Sequence, residues 1–311
     1  LHPRVHPGGH LAHVREELLL GAGLGRAGGE GADPEPLLHL DDGRHGAGVA
    51  TGEDVDDVSP GGEVGRHLPD VHVLPAGVDA ARFTVVGQGV DATVLRPIDG
   101  AAARAALGLP ADAPVLITVG ALVERKGFHR VIALLPRLKA RHPGLVYLVV
   151  GGASPEGDWT ERLTRQVATL GLGDSVRFLG PRAPADLHLV LSAADVFTLP
   201  SSNEGWANVI LEAMACGLPV VASDVGGNAE VVADASLGAI YPFGDDEALF
   251  SCLDRALTQT WSRERLLDYA RQNSWDSRVA QLVHAFRAIA AGEGRVAPDR
   301  CDKVSPSRTP P

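Results

Sequence analysis

No stretch of this chain approaches the ~18 consecutive apolar residues that a membrane-spanning helix needs, and no charged-then-apolar leader opens its 311 residues. Cysteine is scarce. Cys216, Cys252 and Cys301 are odd in number and widely separated, which excludes a disulfide framework and a CxxC metal site. Positive charge is also short, with 28 Lys and Arg against 39 Asp and Glu and a formal net charge of -11. Affinity for a phosphate backbone comes from clustered cations, so this balance argues against a nucleic-acid partner. These absences predict a water-soluble, cytoplasmic protein in a reducing setting. What is present is globular: 45% hydrophobic and 22% charged residues, enough for one large α/β domain or two modest ones.

Aromatic residues are few at 5%, and unevenly placed. Residues 1–80 contain no Phe, Tyr, Trp or Lys, yet hold eight of the 12 His and several Gly doublets. Little core can be built from such a Gly/His-rich segment, so it is predicted to be poorly structured. Residues 81–291 have another texture, in which short apolar runs alternate with longer amphipathic stretches. Strands are expected at Phe83–Val86, Val115–Val119, Val146–Val150, Val176–Leu179, Val196–Leu199, Pro219–Ala222 and Gly238–Ile240. Helices are expected at Gly127–Arg141, Asp158–Leu170, Asn208–Ala215, Asp245–Leu257 and Asp276–Ala290. This alternation predicts an α/β fold, a Rossmann-like parallel sheet flanked by helices, whose ligands sit beyond the carboxyl ends of its strands. Residues 292–311 are polar and Pro-rich and read as a disordered tail.

Three signals in the first segment lack the context that their chemistry needs. Gly23-Leu24-Gly25-Arg26-Ala27-Gly28 has dinucleotide-loop spacing but leads into more glycine rather than a helix. Asp54-Val55-Asp56 follows no buried strand that would fix its carboxylates on a cation. His2, His6, His10 and His13 are separated by Pro7, Gly8 and Gly9, which prevent one helix from presenting them together.

Two later signals carry chemistry. Ser201 to Ser223 places a strand end, a polar loop with Glu204, a helix containing Glu212 and another strand in succession. Asn208 is a plausible N-cap, so first-turn amides would face the loop and attract an anion. Glu212 lies one turn into that helix and can reach the same crevice. Such a site suits a phosphorylated sugar, since carboxylates accept from hydroxyls while the helix end holds phosphate. In the second signal, Val119 to Phe128, Arg125 and Lys126 follow a buried strand, where they could neutralise a diphosphate.

These residues resemble the retaining glycosyltransferases of family 4, also called group 1, which have the two-domain GT-B fold. The Glu204…Glu212 pair looks like the family's E-x7-E motif, the segment around Lys126 like its phosphate-binding "VGRLxxxKG", and Gly87-Gln88-Gly89-Val90-Asp91 like "NGVD". Ser223 to Glu230 is similar to the loop that follows. The resemblance spans roughly Val78 to Ala291. It implies transfer of a sugar from a nucleotide diphosphate sugar, with no metal or other cofactor, to a hydroxyl of a glycan or lipid-linked acceptor, with retention of configuration. Cell-envelope acceptors would bring peripheral contact with the inner face of the membrane. Arg125 and Lys126 would hold the diphosphate and Glu204 would lie against the sugar, making these three the catalytic candidates. Glu212 would bond the ribose. Gly205, Asn208 and Val209 would line the phosphates, and Gly180 to Arg182 would border the base. Ala121 and Gln88 depart from the family pattern, which places an Arg and an Asn there. The family's N-terminal, acceptor-binding domain shows no counterpart in the first 80 residues. Two other readings fit the same residues: a nucleotide-sugar-binding fragment without catalysis, and a nucleotide-sugar epimerase of the same fold.

Overall fold

The computed structural model describes residues 38–40 and 84–291. Most of the predicted poorly structured segment, with its glycine, aspartate and histidine signals, and the tail at 292–311 lie outside the described residues. Within the first segment, β1 (Leu38–Leu40) runs parallel to β2 (Thr84–Val86), so three of its residues are extended.

The rest is built on six strands, β3 (Val115–Val119), β4 (Val146–Val150), β5 (Val176–Gly180), β6 (Val196–Leu199), β7 (Val220–Ser223) and β8 (Gly238–Tyr241). They form one sheet in the order β5-β4-β3-β6-β7-β8, parallel at every pairing. The chain starts at β3, winds outward through β4 and β5, then returns to β6 on the other side of β3. The order therefore reverses between β3 and β6, the switch point beyond whose strand ends sheets of this kind form their ligand crevice.

Helices cover both faces, which is why the strands read as continuous apolar runs rather than as alternating ones. Side chains alternate across each strand, so each strand feeds two cores. Val115, Ile117, Phe197 and Val220 point to one face, where they meet α1 (Gly100–Ala106), α4 (Leu187–Ser192), α5 (Asn208–Ala215) and α8 (Arg263–Gln272). Leu116, Tyr147, Val196 and Val221 point to the other, against α2 (Phe128–Arg141), α3 (Thr160–Thr169) and α7 (Asp246–Thr258). A short helix, α6 (Asn228–Val231), follows β7, and α9 (Trp275–Ala290) closes the described chain. The start of α9 is tied to the segment after β2, since Val90 N–H donates to Asn273 O at 3.1 Å and Trp275 N–H to Val90 O at 3.2 Å.

The expected strands fall within a residue or so of the observed ones, and the five expected helices are present. The sequence pattern does not announce α1, α4, α6 and α8. The first three are short, with too few turns to show a period. α8 is dominated by charge, and its packing face consists of the buried Leu266 and Ala270. Its start is fixed by Ser262, whose hydroxyl accepts from Arg265 N–H at 3.2 Å.

Entry into α2 depends on Gly127, which has φ +73° and whose added Cβ would stand 2.0 Å from Pro200 O. Only glycine fits there, because both the left-handed backbone and the close carbonyl exclude a side chain. Gly127→Ala is expected to lose at least about 1–3 kcal/mol in denaturant unfolding. Gly173→Ala, where a Cβ meets nothing within 4 Å, should stay within about 0.5 kcal/mol of the parent chain.

Candidate functional site

The loops after β3, β4, β6 and β7 converge at the carboxyl edge of the sheet, and main-chain bonds hold them together. Ser202 N–H donates to Arg125 O at 2.7 Å, Gly120 N–H to Val150 O at 3.0 Å, and Gly227 N–H to Gly205 O at 2.8 Å. Gly226 lets the last two loops touch: at φ +50°, its Cβ would lie 1.8 Å from Glu204 O.

A row of alternating charges crosses the β3/β6 crevice. After β3 the chain turns through Glu124–Lys126, and the Lys126 side chain folds back over Gly120. Its ammonium lies 2.6 Å from Glu204 Oε1, with side-chain exposures of 13% and 7%. Arg125 Nη1 is 3.7 Å from Glu204 Oε2 and donates to Asn203 O at 3.3 Å. The other edge of Arg125 grips Glu156, with Nε to Oε2 at 2.5 Å and Nη2 to Oε1 at 2.6 Å. That hydrogen-bonded pairing holds the Glu156 carboxyl below its ordinary range and raises the Arg125 guanidinium.

The structure thus brings Lys126, Arg125 and Glu204 together. Gly205 stands beside them, tied to the Gly226-Gly227 loop. Asn208 and Val209 open α5, but Asn208 is its first helical residue rather than its N-cap. Ala207 precedes the helix and offers no side-chain cap. The Asn208 amide is engaged elsewhere, donating from Nδ2 to Gln88 Oε1 and fastening the segment after β2 to this helix. Trp206 completes that junction with its ring against Gly87, whose added Cβ would be 2.8 Å from the indole. Gly180 ends β5 with φ +69° and accepts from Gly151 N–H at 3.0 Å. Arg182 lies exposed just beyond, outside the charged row.

Glu212 is partly buried in α5, and its carboxylate makes no hydrogen bond or ion pair among the described residues. Burial raises its pKa. It also contributes, after burial, to pushing the Cys216 thiol up to about 12. Sequence reasoning missed Glu156, Trp206 and the bond made by Gln88. Glu156 left one legible trace, since Ser154-Pro155-Glu156-Gly157 reads as a turn on the ligand side of the sheet.

Against this geometry, the family described as Glycosyl transferases group 1 matches residues 100–273. Curated relatives include two proteins named D-inositol 3-phosphate glycosyltransferase. One, from Stackebrandtia nassauensis, is 39% identical over 67% of this chain and 49% of its own length. The other, from Mycobacteroides abscessus, is 34% identical over 93% of this chain and 61% of its own length. The second alignment extends into the first 80 residues, for which sequence reading found no family counterpart. The chain spans about half the length of the curated relatives it matches. Among solved structures, sucrose-phosphate synthase from Thermosynechococcus elongatus has a TM-score of 0.61 at 32% identity, covering 68% of this chain and 53% of that one. The Anabaena protein HepE in complex with UDP has a TM-score of 0.61 at 28% identity, covering 68% and 59%. The described sheet and its helices are the Rossmann-like half of a GT-B fold that the sequence suggested. Among the described residues, no helix is long and apolar enough to cross a membrane.

A raised carboxyl pKa makes Glu212 a pH-dependent burden. Between the ordinary glutamate range and its raised folded value, the folded chain binds more protons than the unfolded one, so stability falls as pH rises through that window. Glu212→Gln should therefore unfold at a higher temperature than the parent at pH 7. The difference should shrink as the pH drops below the ordinary glutamate range, which thermal melts across that span will show.

Proposed function

Because the chain belongs to the group 1 glycosyl transferases, we propose that its β3/β6 crevice binds a nucleotide diphosphate sugar, whose sugar moves to a hydroxyl acceptor with retention of anomeric configuration. The observation that carries this reading is the meeting of Lys126, Arg125 and Glu204 where the sheet order reverses. Breaking the bond between the sugar C1 and the phosphate oxygen builds negative charge on the departing diphosphate and positive charge on the sugar ring. Fixed cations in a shielded crevice stabilise the first. Lys126 takes that role, since its ammonium retains donors beyond the one given to Glu204. At the start of α5 the Asn208 N–H donates to Trp206 O at 3.1 Å, so it is the Val209 N–H that adds to it, and Asn208 takes part as the residue that opens the helix.

Glu204 lies where it can orient the sugar or face the positive charge of its ring. Glu212, partly buried and with a carboxylate that makes no hydrogen bond or ion pair among the described residues, is suited to accept from ribose hydroxyls. Gly180 and Arg182 border the base in this reading, and Gly205 lines the phosphates. Charge neutralisation is assigned to side chains, and no metal is part of the proposal. HepE's complex with UDP supports uracil as the base to test first. The relatives' names add a phosphorylated cyclitol to glycans and lipid-linked hydroxyls as the acceptors to test.

Lys126→Ala and Glu204→Gln should each lower turnover by on the order of 10²-fold, as loss of one preorganised electrostatic contact does. The measurement is sugar transfer from UDP-sugars to these acceptors, beside calorimetric titration with UDP, GDP and ADP. Near-normal transfer in either variant would remove the role given to that residue. Nucleotide binding without transfer by the parent chain would leave a binding module, and sugar isomerisation without acceptor would point to the epimerase.

A further inference from the structure

Arg125 is the cation of the crevice whose Nε/Nη2 edge is already taken. A guanidinium grips a phosphate as it grips a carboxylate, through two parallel N–H donors on one edge. Here that edge is spent on Glu156, through Nε and Nη2. The remaining Nη1 is directed to Asn203 O and the Glu204 carboxylate.

Glu156 is not a loose surface side chain that happens to fall on an arginine. Its turn is closed by two reciprocal main-chain bonds between Ser154 and Gly157, at 3.0 and 2.9 Å, and Glu156 N–H donates to Ser154 Oγ at 3.2 Å. The loop is then stitched to the one that carries Arg125. Leu122 N–H donates to Gly152 O at 2.8 Å and Trp159 N–H to Leu122 O at 2.7 Å. The fold therefore presents a carboxylate to Arg125 from a fixed position.

We propose that Glu156 sets the diphosphate affinity of the crevice by competing with the ligand for Arg125. The inference rests on the diphosphate reading given above. Lys126, Glu204, Arg125 and Glu156 carry alternating formal charges that cancel across the row. A diphosphate meets a net positive row only if Glu156 yields its partner. The Arg125–Glu156 pair can yield, because its side chains are 33% and 49% exposed. Pairs as open to water as this one are weak. The buried Lys126–Glu204 contact is the fixed element, and Arg125 is the exchangeable one.

The test is calorimetric titration of the full chain with UDP and with inorganic pyrophosphate, for four proteins: parent, Glu156→Gln, Arg125→Ala and the double variant. Glu156→Gln keeps the shape and removes the charge. It is expected to tighten both ligands by roughly three- to five-fold, the scale of one partly exposed ion pair. In the Arg125→Ala background the same change should have little effect, because the competitor has nothing left to withhold. Unchanged or weaker binding in Glu156→Gln overturns the proposal and makes Glu156 a support for Arg125. Equal tightening in both backgrounds also overturns it, since the charge would then act through the general field. If the parent binds neither ligand, the diphosphate reading itself fails, and the competition with it.

Discussion

A carboxylate that is 7% exposed and an ammonium that is 13% exposed can share a crevice only because they stand 2.6 Å apart. Without Lys126, Glu204 would keep only the longer contact to Arg125 Nη1 at 3.7 Å, and removing one partner of a buried pair costs far more than the pair itself contributes. The geometry around the crevice follows from this contact. It requires the loops after β3 and β6 to approach closely, and the bond from Ser202 N–H to the Arg125 carbonyl fixes that approach in the main chain. Glu204 is thereby held at the mouth of the sheet rather than in solvent. In the proposed reaction, this preorganisation supplies the electrostatic contribution without later rearrangement.

Positive charge elsewhere is spent on the scaffold. Arg130 pairs with Asp246 and stacks over Phe243, Arg137 pairs with Glu247 and stacks over Phe250, and Arg141 pairs with Asp254. These contacts lace α2 to α7 and the segment before it, on the helical layer. In an acidic chain with a net charge of -11, an anionic ligand is repelled by the average surface. Arg125 and Lys126, at the end of the central strand, give the crevice its local exception.

The sheet was legible because buried parallel strands write themselves as β-branched apolar runs, and Val115–Val119 and Val146–Val150 appear in the structure with the bounds the pattern gave. The pairing of Lys126 with Glu204 was legible only as two separate signals. They lie 78 positions apart, and no local pattern says that their loops meet. Asn208 was misread as a cap because an amide side chain at a helix start has two outlets, and the sequence does not reveal that Gln88 lies 120 positions away to take it. Glu156 was hidden for the same reason, since a turn residue acquires its meaning from the arginine on the neighbouring loop. Elements dictated by local periodicity were readable, and those dictated by contacts between distant loops were not.

The placement of the crevice between β3 and β6 also fixes when it can form as the chain folds. Every other neighbouring pair in the six-stranded sheet joins consecutive strands. The β3–β6 pairing joins residues about 80 positions apart, as in the bond from Thr118 Oγ1 to Thr198 O. Its loop-closure entropy is accordingly the largest in the sheet. Non-local pairings of this kind slow folding, because the chain loses freedom before the contact gives anything back. The half-sheets β3-β4-β5 and β6-β7-β8 can each pair up through nearer neighbours, but neither contains a crevice. Competence to hold a ligand therefore arises at the most topologically demanding step, when the two half-sheets meet.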